Sequence, residues 1–276
     1  MFIRQNCHPI KNFQSVHTYG LSKEGKVSRP LRSCLIALFV AFTIFVPVFG
    51  FTYSAPNSIF TVNSFADLPD GNPGDGACAT NPPPAPVCTL RAAVQEANAH
   101  PGPDFIALPT GTYTLTRVGY DSNAFNGDLD VNGDLSIYTT GGIATIDANG
   151  GVTFDRAFEV IAGTLSLSDI TIVNGYSPSN GGGISANGNL QMYNTIVQNN
   201  TSALHGGGIF ASGTTVSLSS VTLRGNQSQQ AGGGISIEGS SAPYPNVFVS
   251  DSTFEGNRAL AAGSSGGAVN IYTGGG

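Results

Sequence analysis

The chain contains no tryptophan, only two methionines and, beyond Lys26, no lysine at all. Charge is scarce: 11 basic and 17 acidic residues in 276, well below ordinary globular usage. Past residue 50 the balance is five Arg against sixteen acids, a net charge of −11. Such a surface repels phosphate backbones, which are recognised largely through Lys and Arg, and this argues against a nucleic-acid partner. Helical periodicity is missing too, apart from one stretch of barely three turns. The 37 Gly show no three-residue repeat, which excludes collagen, and 40% apolar residues are too many for a chain disordered throughout. What the chain does have is glycine, unevenly placed: residues 141–276 hold 26 of the 37.

The one long apolar run is CLIALFVAFTIFVPVF at 34–49, behind a flank carrying six of the eleven basic residues. A basic region, an apolar region and then small, turn-forming residues is the order of a secretory signal. The run falls short of the roughly 20 residues a spanning helix needs. Residues 1–55 are therefore read as a leader, either cleaved or kept as a signal anchor, and the chain is expected to be exported: extracellular, at the cell surface or in the outer membrane. The basic flank is long for a signal, and a start near Val27 would leave an ordinary one. Cys34 does not suit lipid attachment, because the apolar run follows it. Cys7 and Cys34 fall within the leader, which leaves Cys78 and Cys88. Two cysteines about ten residues apart in an oxidising compartment point to a disulfide pinning the Pro-rich segment between them.

After the leader, Ile59–Asn63 reads as a short strand. Leu90–Ala99 is the helix: Leu90, Ala93, Val94 and Ala97 make one apolar stripe, Thr89 stands at the N-cap, and Pro101 and Gly102 stop it. Short alternating segments follow, with no further helix, which favours an all-β body. Two motifs then repeat in step. GGGI at Gly181–Ile184 returns at Gly206–Ile209 and Gly232–Ile235, and as GGAV at Gly266–Val269, with spacings of 25, 26 and 34. IVNG at Ile172–Gly175 returns as VQNN, LRGN and FEGN, ending at Asn200, Asn226 and Asn257, with spacings of 25, 26 and 31.

A shared period near 25 in short β segments is the mark of a solenoid with one coil per period. A β-sandwich with Gly-rich turns would not hold two motifs to one period. The expected fold is a right-handed, single-stranded parallel β-helix of about seven coils with a short capping helix. Gly182, Gly207, Gly233 and Gly267 are assigned to its recurring bends. Asn200, Asn226 and Asn257 are assigned to equivalent bends as well, in the left-handed region and stacked as a ladder.

Two family resemblances rest on these residues. Segment 60–116 resembles the CSLREA domain of bacterial exported proteins, through Cys88, Thr89, Leu90, Arg91, Ala92 and Ala93 followed by VQEAN at 94–98. Thr89 and Ala92 stand where the family name has Ser and Glu. Residues 170–276 are similar to the polymorphic outer membrane protein repeats, with GGAV at 266–269 and FEGN at 254–257 as strict matches. The resemblances imply a cap region over 57–116, β-helix repeats over 117–276 that stop midway through a coil, and a non-catalytic surface passenger, often an adhesin. Its partner would be a protein or glycan ligand, with membrane contact only through the leader or a further C-terminal anchor.

Right-handed β-helices also carry pectate lyases and polygalacturonases, so the alternative is a polysaccharide-active enzyme with its site beyond this stretch. Past residue 50 the only histidines are His100 and His205, and no lysine is present to act as a base. His205 is read as a solvent-exposed turn residue. No cofactor is implied, except that Asp128, Asp130, Asn132 and Asp134 imitate the opening of a calcium loop. Thr139 stands where that pattern needs its closing Glu. The preferred reading makes Leu129–Ile137 two strands around an Asn132–Gly133 turn, with the acids on the wet face.

Overall fold

The computed structural model describes residues 57–81, 86–212, 215–239 and 245–273; the leader assigned to 1–55 lies outside them. Four parallel sheets wind around one core. β1 (Ile59–Thr61) pairs with β2 (Asp104–Pro109), and between them lies helix α1 (Leu90–Ala99). The first coil consists of β2, β3 (Thr112–Thr114) and β4 (Leu129–Val131). The second consists of β5 (Leu135–Thr140), β6 (Ala144–Asp147) and β7 (Phe158–Val160), with a four-residue helix α2 (Gly150–Thr153) at one corner. From the third coil onward, β8 (Thr164–Ser168), β9 (Ile170–Val173) and β11 (Ile184–Ala186) are joined by a two-residue strand, β10 (Tyr176–Ser177).

β1 and β2 open a seven-stranded sheet that ends at Asn246–Ser250, flanked by two six-stranded sheets and one of four strands. From β2 to Asn246–Ser250 the chain completes five turns. That is fewer than the seven coils expected, because the turns from Asp104 to Leu135, Leu135 to Leu165 and Val216 to Val247 take 31, 30 and 31 residues, more than the repeat period near 25. β2 and β3, which belong to the first coil, lie inside the 57–116 segment.

Each coil buries its apolar side chains only against its neighbours, and strict register turns them into columns. Leu135, Leu165, Leu190, Val216 and Val247 align strand to strand. The last residue of each GGGI or GGAV motif forms another column: Ile184, Ile209, Ile235 and Val269. The end of the stack is closed by α1. Thr89 accepts the Ala92 N–H at 3.0 Å, and the stripe of Leu90, Ala93, Val94 and Ala97 is buried in the same core cluster as the coils. A solenoid end without such a cover would leave apolar surface and strand edges in water.

The two repeated motifs keep step for a steric reason. The first Gly of each takes φ between 60 and 66° (Gly181, Gly206, Gly232, Gly266), which favours glycine. At the second, a Cβ on Gly182, Gly207 or Gly233 would come within 2.4 Å of backbone in the next coil; at Gly267 the nearest atom is Asn257 O at 3.6 Å. The third, Gly183, Gly208 or Gly234, lies 3.0–3.1 Å, measured from a would-be Cβ, from the side-chain carbon of Asn200, Asn226 or Asn257. The glycine triplet thus makes room for the asparagine.

Those asparagines do not occupy the left-handed region as expected. The positive φ falls one residue earlier, at Asn174, Asn199, Gly225 and Gly256. The ladder residues instead turn their amides inward to satisfy backbone groups. Nor does Asn132–Gly133 close a hairpin: β4 and β5 belong to different sheets, and the pair is a corner between them.

Candidate functional site

The ladder is continuous. Asn226 Oδ1 accepts both the backbone N–H and the Nδ2 of Asn200, at 3.0 Å each, and Asn257 Oδ1 does the same for Asn226. Asn200 Oδ1 in turn receives the Gly175 N–H at 2.8 Å. Cys78 and Cys88 are joined as a disulfide. Cys88 is buried beside the N-cap of α1, so the bond ties Cys78 to the helix start.

The acids of the calcium-like string separate. Asn132 and Asp134 are exposed, but Asp128 and Asp130, expected on the wet face, are buried; Asp130 is 0% exposed. The outer face of β4 is covered by the loop that precedes it and by side chains of α1, more than thirty residues away. The Ala124 N–H donates to Asp130 Oδ2 at 2.8 Å, Asn98 Nδ2 donates to the Asp130 carbonyl at 2.7 Å, and Arg91 Nη1 to the Asp128 carbonyl at 3.1 Å. Asp130 pairs in register with Glu159 on β7, and side chains two residues apart share a face, which brings Asp128 in as well. One ligand oxygen from each of Asp128, Asp130 and Glu159 falls within 4.8 Å of the others.

One guanidinium serves this cluster. Arg156 lies 3.2 Å from Glu159, 3.7 Å from Asp128 and 3.9 Å from Asp155, and donates to Ser177 Oγ at 3.1 Å. Burial, reinforced by the charge of Asp155 and opposed by Arg156, pushes the Asp128 carboxyl well above the usual range. Burial also pushes Asp130 up to about 7; the Ala124 N–H opposes this, while Asp121 and Glu159 add to it. Asp155 is raised as well, chiefly by burial, with Arg156 pulling the other way.

Arg91 is the other buried cation, 1% exposed. It reaches Asp67 with Nε and Nη2 at 2.5 and 3.3 Å, and the Ala124, Asp128 and Gly127 carbonyls at 3.0, 3.1 and 2.7 Å. Within the sequence its only mark was the resemblance motif. Arg156, Asp155 and Glu159 had no mark at all: they lie close to one another in sequence, but the acids that give them their role, Asp128 and Asp130, belong to the preceding coil.

The histidines occupy different settings. His205 is half-buried rather than a free turn residue, with Nδ1 3.8 Å from Glu238. His100 lies between Ser58 Oγ, 3.2 Å from its Nε2, and Asp104, 2.9 Å from its Nδ1. This is the residue order of serine hydrolases. However, Nδ1 is not aligned for a hydrogen bond, and the same Asp104 oxygen holds the Ser58 N–H at 2.9 Å. The trio therefore fastens the start of β1 to β2.

Two features of the outer surface bear on binding. On the seven-stranded sheet, the register lines up Ser136, Ser166, Gln191, Ser217 and Phe248, and beside them Tyr138, Ser168, Tyr193, Ser219 and Ser250. Neither row carries a charge, and Tyr193 and Phe248 are exposed. At the α2 corner, a cleft of about 440 Å³ is lined by Phe154, Tyr176, Asn174 and Asn199. The architecture places the chain among parallel β-solenoids. No family model, curated protein or solved structure matches it.

Proposed function

We propose that this chain is a non-catalytic scaffold, exported or held at the cell surface, that engages a protein or glycan through the side of its solenoid. The observation that carries this reading is the uncharged face of Ser, Gln, Tyr and Phe side chains running across the seven-stranded sheet. Tyr supplies rigid contact area and Ser adaptable hydrogen bonds, the chemistry that recurs in binding surfaces. The signal-like leader and the Cys78–Cys88 bond support an oxidising destination. The CSLREA-like cap and the outer-membrane-type repeats belong to the same proposal, as does the adhesin role they imply.

The test is binding of the purified chain to a printed panel of glycans and extracellular-matrix proteins, beside the Tyr138→Ala/Tyr193→Ala double variant. Binding that the double variant loses, at unchanged melting temperature, is the expected result. Failure to bind anything on the panel, or binding indifferent to both tyrosines, overturns the assignment to this face. Fractionation of the full-length chain in a bacterial host tests export, and retention in the cytoplasm contradicts it.

A further inference from the structure

We propose that Asp128, Asp130 and Glu159 together bind a hard divalent cation of the Ca²⁺ class at the junction of the first two coils. The site is built by register: Asp130 and Glu159 are direct partners on β4 and β7, and one oxygen from each of the three carboxylates lies within 4.8 Å of the others. Oxygens that share a Ca²⁺ at roughly 2.3–2.6 Å fall within about that distance of one another. Asp130 supplies the independent sign of a missing partner. It is fully buried, its Oδ2 is held by Ala124, and its Oδ1 has no hydrogen-bond partner. A buried oxygen of that kind is costly unless something satisfies it.

The neighbouring guanidinium does not. Arg156 contacts Glu159, Asp128 and Asp155, but forms no ion pair or hydrogen bond with Asp130. Four carboxyl groups share one Arg, with Asp121 close to Asp130 as well, and a divalent ion supplies the positive charge that lets them ionise together. An all-oxygen donor set selects Ca²⁺, Mg²⁺ or Mn²⁺ over metals that favour nitrogen or sulfur. The Glu159 side chain, 31% exposed, leaves the cluster open on one side, which admits the ion and the waters that complete its shell. The Asp128 and Asp130 carbonyls are also held by Arg91 and Asn98 of α1. A bound ion would therefore clamp cap, first coil and second coil together. The ligand set differs from the linear loop pattern in the sequence, since Asn132 and Asp134 take no part.

The experiment is calorimetric titration of the full chain, stripped with chelator, with CaCl₂ and separately MgCl₂ at matched ionic strength. Far-UV circular dichroism confirms that each variant is folded. The expected result is one saturable Ca²⁺ site with Kd at or below about 1 mM, weakened at least about tenfold in both Asp130→Asn and Glu159→Gln and unchanged in Asp134→Asn. Glu159 is partly exposed, so its variant retains the fold even if Asp130→Asn does not. No saturable heat from the wild type, undiminished binding in folded Glu159→Gln, or loss in Asp134→Asn overturns the proposal.

Discussion

Replacing Arg91 with Met keeps most of the buried stem and removes five hydrogen bonds at once. Left behind are the Asp67 carboxylate, whose side chain is 3% exposed, and the carbonyls of Ala124, Gly127 and Asp128. Removing one partner of a buried ion pair typically costs about 3–5 kcal/mol, because the other charge stays out of water. In a solenoid that loss stays local, since each coil touches only its neighbours. Amide hydrogen exchange is the suitable assay. Amides in 116–131, which depend on Asp67 and Arg91 through the Thr116 and Arg117 N–H groups and the covering loop, should exchange from about 10²-fold to several thousandfold faster, as 1.4 kcal/mol corresponds to tenfold. Amides of the Asn200–Asn226 ladder should change little. The Asp67→Asn variant should behave similarly, and the double variant should lose less than the sum of the two single ones. Acceleration under about tenfold in 116–131, or acceleration equal in both regions, would refute the claim that Arg91 holds the cap to the first coil.

Other outcomes follow from the same contacts. Asn226→Ala orphans the Asn200 backbone N–H in the core and takes one of the acceptors of Asn200 Nδ2, which keeps the Gln198 carbonyl; this should cost about 1–3 kcal/mol, read as a lower midpoint in urea, and an unchanged midpoint would deny the ladder any role. Gly207→Ala drives a Cβ to 2.4 Å from Gln227 and Gly233 backbone atoms, whereas Gly267→Ala meets nothing nearer than 3.6 Å. Thermal melts should show a marked loss for the first and almost none for the second, and equal losses would contradict the steric account. In chelator, stability should rise as the solution is acidified from pH 8 towards 5. Asp130 has a folded pKa of about 7 against an ordinary 3.8; its contribution is complete below the lower value and is lost as pH climbs through the upper one. Denaturant midpoints at several pH values check this, and Asp130→Asn should flatten the profile.

Much of the architecture was legible because it is written in local or periodic terms. Thr89 and the 90–97 stripe define α1 within its own ten residues, and the columns of Ile184, Ile209 and Ile235 follow from a period that a parallel stack must obey. The asparagine ladder was legible as a recurrence, but its backbone was not. A left-handed φ at Asn199 and an inward amide at Asn200 are neighbours that look alike in sequence, and only the glycines packed against the amide tell them apart. The acids of β4 misled for a different reason. Alternation marks which side chains leave the core, not what covers them afterwards. Residues 121–127 and the side chains of α1 cover that outer face, so Asp128 and Asp130 are dry where the pattern predicts water.

The scarcity of charge and the step-locked glycines by themselves determined the class of fold, since a chain of short β segments with one shared period can bury its apolar residues only by stacking. The disulfide partners followed from the count of cysteines outside the leader. The tertiary structure alone decided where the few charges become consequential. Arg91 meets Asp67 from 24 residues away, and Asp130 meets Glu159 across one turn of the solenoid. Electrostatic character depends on distance through space and on exclusion of water, and neither is a property of position along the chain.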